Sequence, residues 1–138
     1  MPISVLVIDA DVSIVDAFEK VLGRQGFVIL RAYSAAAGLE ILRQSEVDAV
    51  IADICVPGAP DVAFLREIKA LYSTLPIVVM TAYSTSFTQA DALREGAYGY
   101  FVKPFNLNDL MRTLKRATGS QDALVTSEGK VQRSRILE

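Results

Sequence analysis

The stretch VLVIDADVS, residues Val5 to Ser13, decides the fold that we predict for this chain of 138 residues. Its first four residues are apolar, which is typical of a buried strand. The run stops at two acids, Asp9 and Asp11, with Ala10 between them. A helical period follows directly, with apolar residues on one face at Ile14, Val15, Phe18, Val21 and Leu22. The stretch therefore predicts an α/β unit with polar groups at the carboxyl end of its strand.

Similar apolar runs recur along the chain and alternate with helical stretches. The predicted strands are Ser4–Ile8, Phe27–Leu30, Ala49–Ala52, Ile77–Met80 and Gly99–Val102. Because they are rich in Val and Ile and show little polar alternation, we expect both faces of the sheet to be covered. Strand and helix alternate five times, which favours right-handed crossovers between parallel strands. The predicted fold is α/β, with a doubly wound five-stranded parallel sheet and helices on both faces.

Polar residues and glycines mark the predicted helix ends. The expected signals are Gly26 after the first helix, Ser34 and Asp61 before the second and third, and Asn106 or Asn108 before the fifth. A fourth, more polar helix is expected from about Ser86 to Glu95, ending at Gly96.

Composition excludes several classes of function. The sequence has no histidine, which excludes histidine-based triads and most zinc sites, and its single cysteine excludes an internal disulfide. In residues 1–110 the acids outnumber the bases by 13 to 8, which argues against a nucleic-acid surface. We find no apolar run long enough to span a membrane and no signal-peptide pattern, so we expect a cytoplasmic protein.

Residues 1–118 are predicted to form the folded domain. Residues 119–138 lose the periodicity, and we interpret them as a polar tail or the start of a linker to a possible output domain. Residues 111–138 hold six bases and three acids, and a solvated helix face or linker explains that charge more simply than DNA binding does.

Polar residues follow four of the predicted strands. Strand 1 ends at Asp9 and Asp11, strand 3 at Asp53, strand 4 at Thr81 and strand 5 at Lys103. In a parallel sheet these groups meet at one edge. Clustered carboxylates repel each other unless a cation shares the site, and oxygen ligands of this kind suit Mg²⁺. A metal, an ammonium and a hydroxyl together suit the oxygens of a phosphoryl group, and Asp53 is the predicted nucleophile because its strand is central.

Four motifs at these strand ends resemble the receiver domain of bacterial two-component response regulators. They are VLVIDAD, AVIADICVPG, PIVVMTAY and GAYGYFVKPF, in this order and spacing. The resemblance covers residues 3 to about 117. Within the family, this chain is similar to receivers of the nitrogen-regulation type. It implies a flavodoxin-like fold with strand order 2-1-3-4-5.

The resemblance also implies a role for each matching residue. Asp53 would accept a phosphoryl group from the phosphohistidine of a sensor histidine kinase or phosphotransfer protein. Asp9, Asp53 and the backbone carbonyl of Cys55 would hold Mg²⁺. Thr81 and Lys103 would contact the phosphoryl group, Tyr100 would move inward on activation, and the Lys103–Pro104 peptide bond would be cis. A homodimer through helix 4, strand 5 and helix 5 is also expected, near Tyr98 and Phe101, with no contact to nucleic acid or membrane.

Three departures from the family pattern leave alternatives open. The second of two adjacent acids that hold the metal is replaced by Ala10, so we expect weakened Mg²⁺ binding. Asp11 is interpreted as a helix cap in preference to a substitute ligand. The family commonly has an Asp–Gly pair where this chain has Pro60–Asp61. It often has Asn or Met at the position that Cys55 occupies here.

The main prediction is a phosphorylation-dependent switch that catalyses only its own phosphorylation and dephosphorylation. The alternative that Ala10 favours is a pseudo-receiver, a protein–protein interaction module that works without phosphate. A flavin- or nucleotide-binding protein would need a glycine-rich loop after strand 1, and DADVSIV has no glycine.

Overall fold

The computed structural model describes residues 2–54, 62–82 and 89–119. Within them, strands and helices alternate along the chain. The strands are β1 (Ser4–Ile8), β2 (Val28–Ala32), β3 (Ala49–Asp53), β4 (Ile77–Thr81) and β5 (Gly99–Val102). The helices are α1 (Val12–Arg24), α2 (Ala35–Gln44), α3 (Val62–Leu71), α4 (Gln89–Arg94) and α5 (Leu107–Thr118).

The sheet has five parallel strands in the order β2-β1-β3-β4-β5, which confirms the predicted topology. Strand β3 lies in the centre, between β1 and β4. All its residues are buried, as are those of β4. The carboxyl ends of β1, β3 and β4 therefore lie side by side, at the edge where the polar residues follow the strands.

Two hydrophobic clusters, one on each face of the sheet, explain why the strands are apolar on both sides. Successive residues of a strand point to opposite faces, so Leu6 and Ile8 belong to one cluster and Val5 and Val7 to the other. The first cluster includes side chains of α2, α3 and α4, and the second includes those of α1 and α5. The chain is thus a three-layer α/β structure, as the sequence predicts.

Side-chain caps begin three of the helices. Asp11, Ser34 and Asn106 each accept hydrogen bonds from backbone N–H groups in the first turn of α1, α2 and α5 respectively. These caps confirm the predicted helix starts at Ser34 and Asn106. Gly26 follows the end of α1 with a φ of 94°, and Gly96 follows α4 with a φ of 100°. The predicted cap at Asp61 and the predicted start of the fourth helix near Ser86 lie outside the described residues.

The predicted bounds of strand 2 are wrong by one residue at its start and two at its end. The prediction began at Phe27, but the N–H of Phe27 donates to the carbonyl of Leu22 and so completes the end of α1. The strand then continues through Arg31 to Ala32, because these residues pair with Val7 and Ile8 of β1. A charged residue is tolerated there because the Arg31 side chain lies on the exposed edge strand and pairs with Asp16 and Glu19 of α1.

Helix α2 approaches β1 closely at Gly38. A Cβ atom at this position would lie 2.6 Å from Cδ1 of Ile8 and 3.8 Å from Cβ of Ala32. Since Ile8 is fully buried, a side chain at position 38 would force the Ile8 side chain to shift or α2 to move away from β1.

No helix in the described part of the chain has the length and apolar character needed to cross a membrane.

Candidate functional site

The polar residues predicted from the strand ends meet at the carboxyl edge of the sheet. The backbone holds this edge together beyond the strands themselves. The N–H of Lys103 donates to the carbonyl of Thr81 at 2.8 Å, and the N–H of Ile54 donates to the carbonyl of Met80 at 3.1 Å. The N–H of Asp9 donates to the carbonyl of Ala32 at 3.1 Å. These bonds fix the positions from which the side chains reach into the site.

The centre of the site is an ion-paired trio. The ammonium Nζ of Lys103 lies 2.7 Å from Oδ2 of Asp9 and 2.8 Å from Oδ2 of Asp53. Asp9 is only 2% exposed and Asp53 only 7%. Two carboxylates so far from water would repel each other strongly, and the ammonium between them compensates both.

The trio also changes the acid–base behaviour of Lys103. Burial lowers the pKa of its ammonium, but hydrogen bonds to Asp53 and Asp9 outweigh burial, so the pKa lies above the ordinary value of 10.5. Lys103 is therefore a permanent cation at neutral pH. A fixed positive charge beside a carboxylate is the arrangement that stabilises an anionic group when one arrives.

Asp11 lies apart from the trio and belongs to the helix. Its Oδ1 accepts hydrogen bonds from both the backbone N–H and the hydroxyl of Ser13, and its side chain is exposed. The backbone N–H of Asp11 donates to Oδ1 of Asp9 at 2.9 Å, which orients the Asp9 carboxylate. Asp11 thus acts on the site through its main chain, and its carboxylate caps α1 as the sequence interpretation favoured.

Asp9 and Asp53 are therefore the two acids at the centre of the edge. Among the described residues, no group of three or more acids, cysteines or histidines is arranged to hold a metal. Ala10, which separates Asp9 from Asp11, is exposed and offers no side-chain ligand. The carbonyl of Cys55, the third predicted ligand, lies outside the described residues.

The remaining predicted residues lie next to the trio or close to it. Thr81 is the last residue of β4 and is completely buried. Tyr100 is half-buried in β5 and packs against the cluster that contains α4. The Lys103–Pro104 peptide bond is cis, as the family resemblance implies. The structure therefore places Thr81 and Pro104 at the same edge as the trio, with Tyr100 further back in β5, but it does not test the roles assigned to them.

Sequence reasoning missed an apolar groove beside the trio. The groove has a volume of about 410 Å³ and is lined by Ile14, Ala17, Phe18, Lys103, Pro104, Phe105 and Leu107. It runs between α1 and the start of α5, and Lys103 belongs to both the groove and the trio. The only signal in the sequence was the succession Pro104–Phe105 after Lys103, which is also compatible with ordinary core packing.

A link between α3 and α4 was also missed. The guanidinium of Arg66 donates to both carboxylate oxygens of Glu95, at 2.8 Å each. This bidentate pair lowers the pKa of Glu95 and joins the end of α4 to α3. Its two residues are 29 positions apart, so no helical spacing could predict it.

Comparison with known proteins identifies the family. Residues 5–115 match the family described as "Response regulator receiver domain". The chain belongs to this family. The match covers all the predicted site residues, and it agrees with the fold and with the meeting of Asp9, Asp53, Thr81 and Lys103 at one edge.

Two curated relatives of this receiver domain are regulators of transcription. The chain is 36% identical over 115 residues to the transcriptional regulatory protein ZraR of Escherichia coli, covering 83% of this chain and 26% of the relative. It is 33% identical over 113 residues to the DNA-binding transcriptional regulator NtrC of Escherichia coli, covering 82% of this chain and 24% of the relative. The chain thus spans about a quarter of the length of these relatives.

A solved structure supports the same assignment. The receiver domain protein from Clostridium thermocellum is 28% identical to this chain, with a TM-score of 0.78. The likeness covers 89% of this chain and 99% of that one. The chain is therefore a receiver domain of the two-component response regulators, a family whose members generally bind Mg²⁺.

The capping role of Asp11 predicts a specific pH dependence of stability. Hydrogen bonds from Ser13 lower the pKa of the Asp11 carboxyl below its ordinary value of 3.8. A carboxyl with a lowered pKa in the folded state stabilises the fold above its unfolded pKa, and this contribution is lost as the pH falls through the folded pKa. We expect Asp11→Ala to lower the free energy of unfolding at pH 7, and the difference from the parent to shrink as the pH falls below about 4.

Urea denaturation at a series of pH values, with a chelator present, measures this effect. Asp11→Asn is the matched control, because asparagine caps a helix but does not titrate in this range. It should keep the stability at neutral pH. Equal stability of the alanine variant and the parent at pH 7 would contradict the capping role.

Proposed function

We propose that this receiver domain is a phosphorylation-dependent switch in which Asp53 accepts the phosphoryl group. The observation that carries the proposal is the position of Lys103, whose ammonium lies 2.8 Å from Asp53 at the end of the central strand. A carboxylate oxygen held beside a permanent cation can become part of an acyl phosphate without leaving the new negative charge uncompensated. The donor in this proposal is a sensor histidine kinase or a phosphotransfer protein.

The transfer step is a displacement at phosphorus. An oxygen of the Asp53 carboxylate forms a bond to the phosphorus of a phosphohistidine, and the nitrogen–phosphorus bond of the donor breaks. The electron pair of that bond returns to the imidazole, and the aspartyl side chain becomes an acyl phosphate. Lys103 would then pair with a phosphoryl oxygen, and the hydroxyl of Thr81 would donate to another. The chain is thus a phosphoacceptor, and the only reactions it assists are its own phosphorylation and dephosphorylation.

The donor set at the strand ends fits a weakly held Mg²⁺ ion. Asp9 and Asp53 supply only oxygen, and Mg²⁺ is commonly bound by one or two carboxylates with water completing its shell. Bound there with the carbonyl of Cys55, the ion would neutralise charge on the phosphoryl oxygens. Both acids already share the Lys103 ammonium, and Ala10 supplies no third carboxylate, so affinity should be lower than in relatives that have an acid at this position.

Thr81 and Tyr100 are proposed to carry the signal from the phosphoryl group to the surface. Thr81 ends β4, and Tyr100 lies on the adjacent strand β5, one residue from Phe101. If Thr81 is drawn toward the phosphoryl group, the space beside it opens and the half-buried Tyr100 ring can turn inward. A switch biased by one new hydrogen bond should have a modest range, about 1–3 kcal/mol.

The surface that would change is formed by α4, β5 and α5. It exposes three large apolar side chains, Leu93, Tyr98 and Val102. Such a patch is suited to a second copy of the domain, and we propose that the phosphorylated form dimerises there. Phe101, which we expected near this face, is half-buried and packs against Phe105 in the cluster that contains α1 and α5. The similarity to ZraR and NtrC supports a nitrogen-regulation type of regulator.

Asp53 should be the only residue that is phosphorylated. After incubation with Mg²⁺ and acetyl phosphate, the intact mass of the parent should rise by one phosphoryl group. Asp53→Asn should show no increase, because an amide is not a nucleophile at phosphorus. The control Asp11→Asn keeps its helix cap and should be phosphorylated like the parent. Phosphate retained by the Asp53 variant would contradict the assignment.

Restoring an acid at position 10 should tighten Mg²⁺ binding. One further charge–charge contact in a partly solvated site is worth about 1–3 kcal/mol, so Ala10→Asp should raise the affinity roughly tenfold to a hundredfold. It should also speed phosphorylation by acetyl phosphate and slightly destabilise the metal-free fold, because a third acid joins the edge. Isothermal titration with Mg²⁺ measures the affinity of both forms.

Asp11→Ala serves as the control for this titration and should bind Mg²⁺ as the parent does. Equal affinities of the parent and Ala10→Asp, with loss of binding in Asp11→Ala, would show that Asp11 is a ligand after all. If neither the parent nor Ala10→Asp binds Mg²⁺ or accepts phosphate, the pseudo-receiver alternative is correct.

The switch should be visible far from the phosphoacceptor. Beryllium trifluoride, a phosphoryl mimic, should change the amide NMR signals of α4, β5 and α5 as well as those near Asp53. Tyr100→Ala should keep the local changes and reduce the distant ones, because the ring that transmits the change is gone. Signals that change only around Asp9, Asp53 and Thr81 would rule out this route.

A further inference from the structure

A second cleft lies at the opposite edge of the sheet from the trio. It has a volume of about 520 Å³ and is lined by Leu42, Ser45, Glu46, Val47, Asp48, Tyr72, Thr74, Leu75 and Pro76. Leu42 lies in the last turn of α2, and the other residues lie between α2 and β3 or between α3 and β4, so the cleft opens at the amino ends of the strands. Its floor is apolar and its rim carries hydroxyl and carboxylate groups. Nothing in the proposed phosphorylation uses it.

The charge of the cleft is acidic. Its lining contains two acids, Glu46 and Asp48, and no base. Asp48 accepts a hydrogen bond from the backbone N–H of Ser4 at 2.8 Å, and Glu46 makes no hydrogen bond or ion pair within the described residues. Lys69 lies three residues before Tyr72 in the sequence, but its ammonium donates to the carbonyls of Ser73 and Leu75. An amphipathic cleft with an acidic rim is suited to a segment that combines apolar and cationic side chains.

Helix α5 ends at the same edge of the sheet as the cleft. The ammonium of Lys115 donates to the side chain of Gln25, which follows the last turn of α1. Thr113 lies against Gly99, the first residue of β5. The chain therefore leaves α5 at Gly119 beside the amino ends of the strands, on the face opposite to α2 and α3.

The sequence that follows contains a segment with the matching chemistry. Residues 129–137 read GKVQRSRIL, with three bases, three large apolar residues and no acid. We call them the basic segment. Residues 120–128, which connect it to α5, can span up to about 30 Å when extended. The distance between the helix layers on the two faces is roughly 20 Å. The basic segment can therefore reach the cleft of its own chain.

We propose that the basic segment docks in this cleft, with Arg133 or Arg135 at the acidic rim beside Glu46 and Asp48, and Ile136 and Leu137 over the apolar floor. The pairing is within one chain, because the connecting residues are long enough and keep the local concentration of the segment high. The contact fastens the end of α5 to the edge of the sheet farthest from the phosphoacceptor. The rim is exposed to solvent, so added salt should weaken the attraction between its acids and the arginine.

Amide NMR of the whole chain tests the docking without any phosphodonor, so the result does not depend on the role of Asp53. The variant Arg133→Glu with Arg135→Glu should shift the signals of Val47, Tyr72 and Thr74 in the cleft. The variant Glu46→Lys should shift the signals of residues 129–137. Combining Glu46→Lys with Arg133→Glu should return both sets of signals toward their positions in the parent. The matched control is Glu67→Lys, an exposed acid of α3 outside the cleft, which should leave the basic segment unchanged.

Limited proteolysis with trypsin gives a second measurement. Docking should protect the bonds after Lys130, Arg133 and Arg135, so Glu46→Lys should raise their cleavage rate about threefold to tenfold, and Glu67→Lys should not. Cleft signals that are the same in the parent and in the double arginine variant would overturn the proposal. So would cleft signals that depend on protein concentration, because they would assign the contact to the segment of a second copy.

Discussion

The ammonium of Lys103, held between the carboxylates of Asp9 and Asp53, is the interaction on which the arrangement of the polar edge depends. Both acids are almost completely buried, and the ammonium compensates the repulsion between their carboxylates. The three residues come from the ends of β1, β3 and β5, which are not all neighbours in the sheet. Because all five strands are parallel, these ends lie at the same edge of the sheet, and the Lys103 side chain reaches from β5 to the acids of β1 and β3.

The trio also gives the substitution at position 10 a physical meaning. With alanine there, one ammonium stands against two nearby carboxylates, so the edge carries a small net negative charge. A further acid would increase both the attraction for a divalent ion and the repulsion in its absence. Compared with a chain that has an acid at position 10, the negative charge of the metal-free edge is therefore better compensated by Lys103, but the edge offers fewer ligands for a metal. The backbone N–H of Asp11 contributes to this balance, because it fixes the Asp9 carboxylate in the orientation that reaches Lys103.

The sequence was sufficient to predict a parallel α/β sheet and the gathering of Asp9, Asp53, Thr81 and Lys103, because strands buried on both faces leave a strong apolar signal and polar residues stop them abruptly. The strand order followed from the family resemblance. Prediction from the sequence failed where the signal was ambiguous or long-range. Arg31 interrupted the apolar run of β2, although acids of α1 compensate it, and Phe27 extended the run although it belongs to the end of the preceding helix. The pairing of Arg66 with Glu95 joins residues far apart in sequence that no strand-end pattern marks, and only the folded chain brings them together.

The close approach of α2 to β1 at Gly38 has a consequence for how this sequence can vary. A side chain at position 38 would occupy the space that Cδ1 of Ile8 now fills. The two positions share one fixed volume, so neither can grow unless the other shrinks. Related chains should therefore vary at positions 8 and 38 as a pair, with alanine at 38 accompanied by valine or a smaller residue at 8. Such a compensated pair would keep α2 at its present distance from the strand whose end carries Asp9.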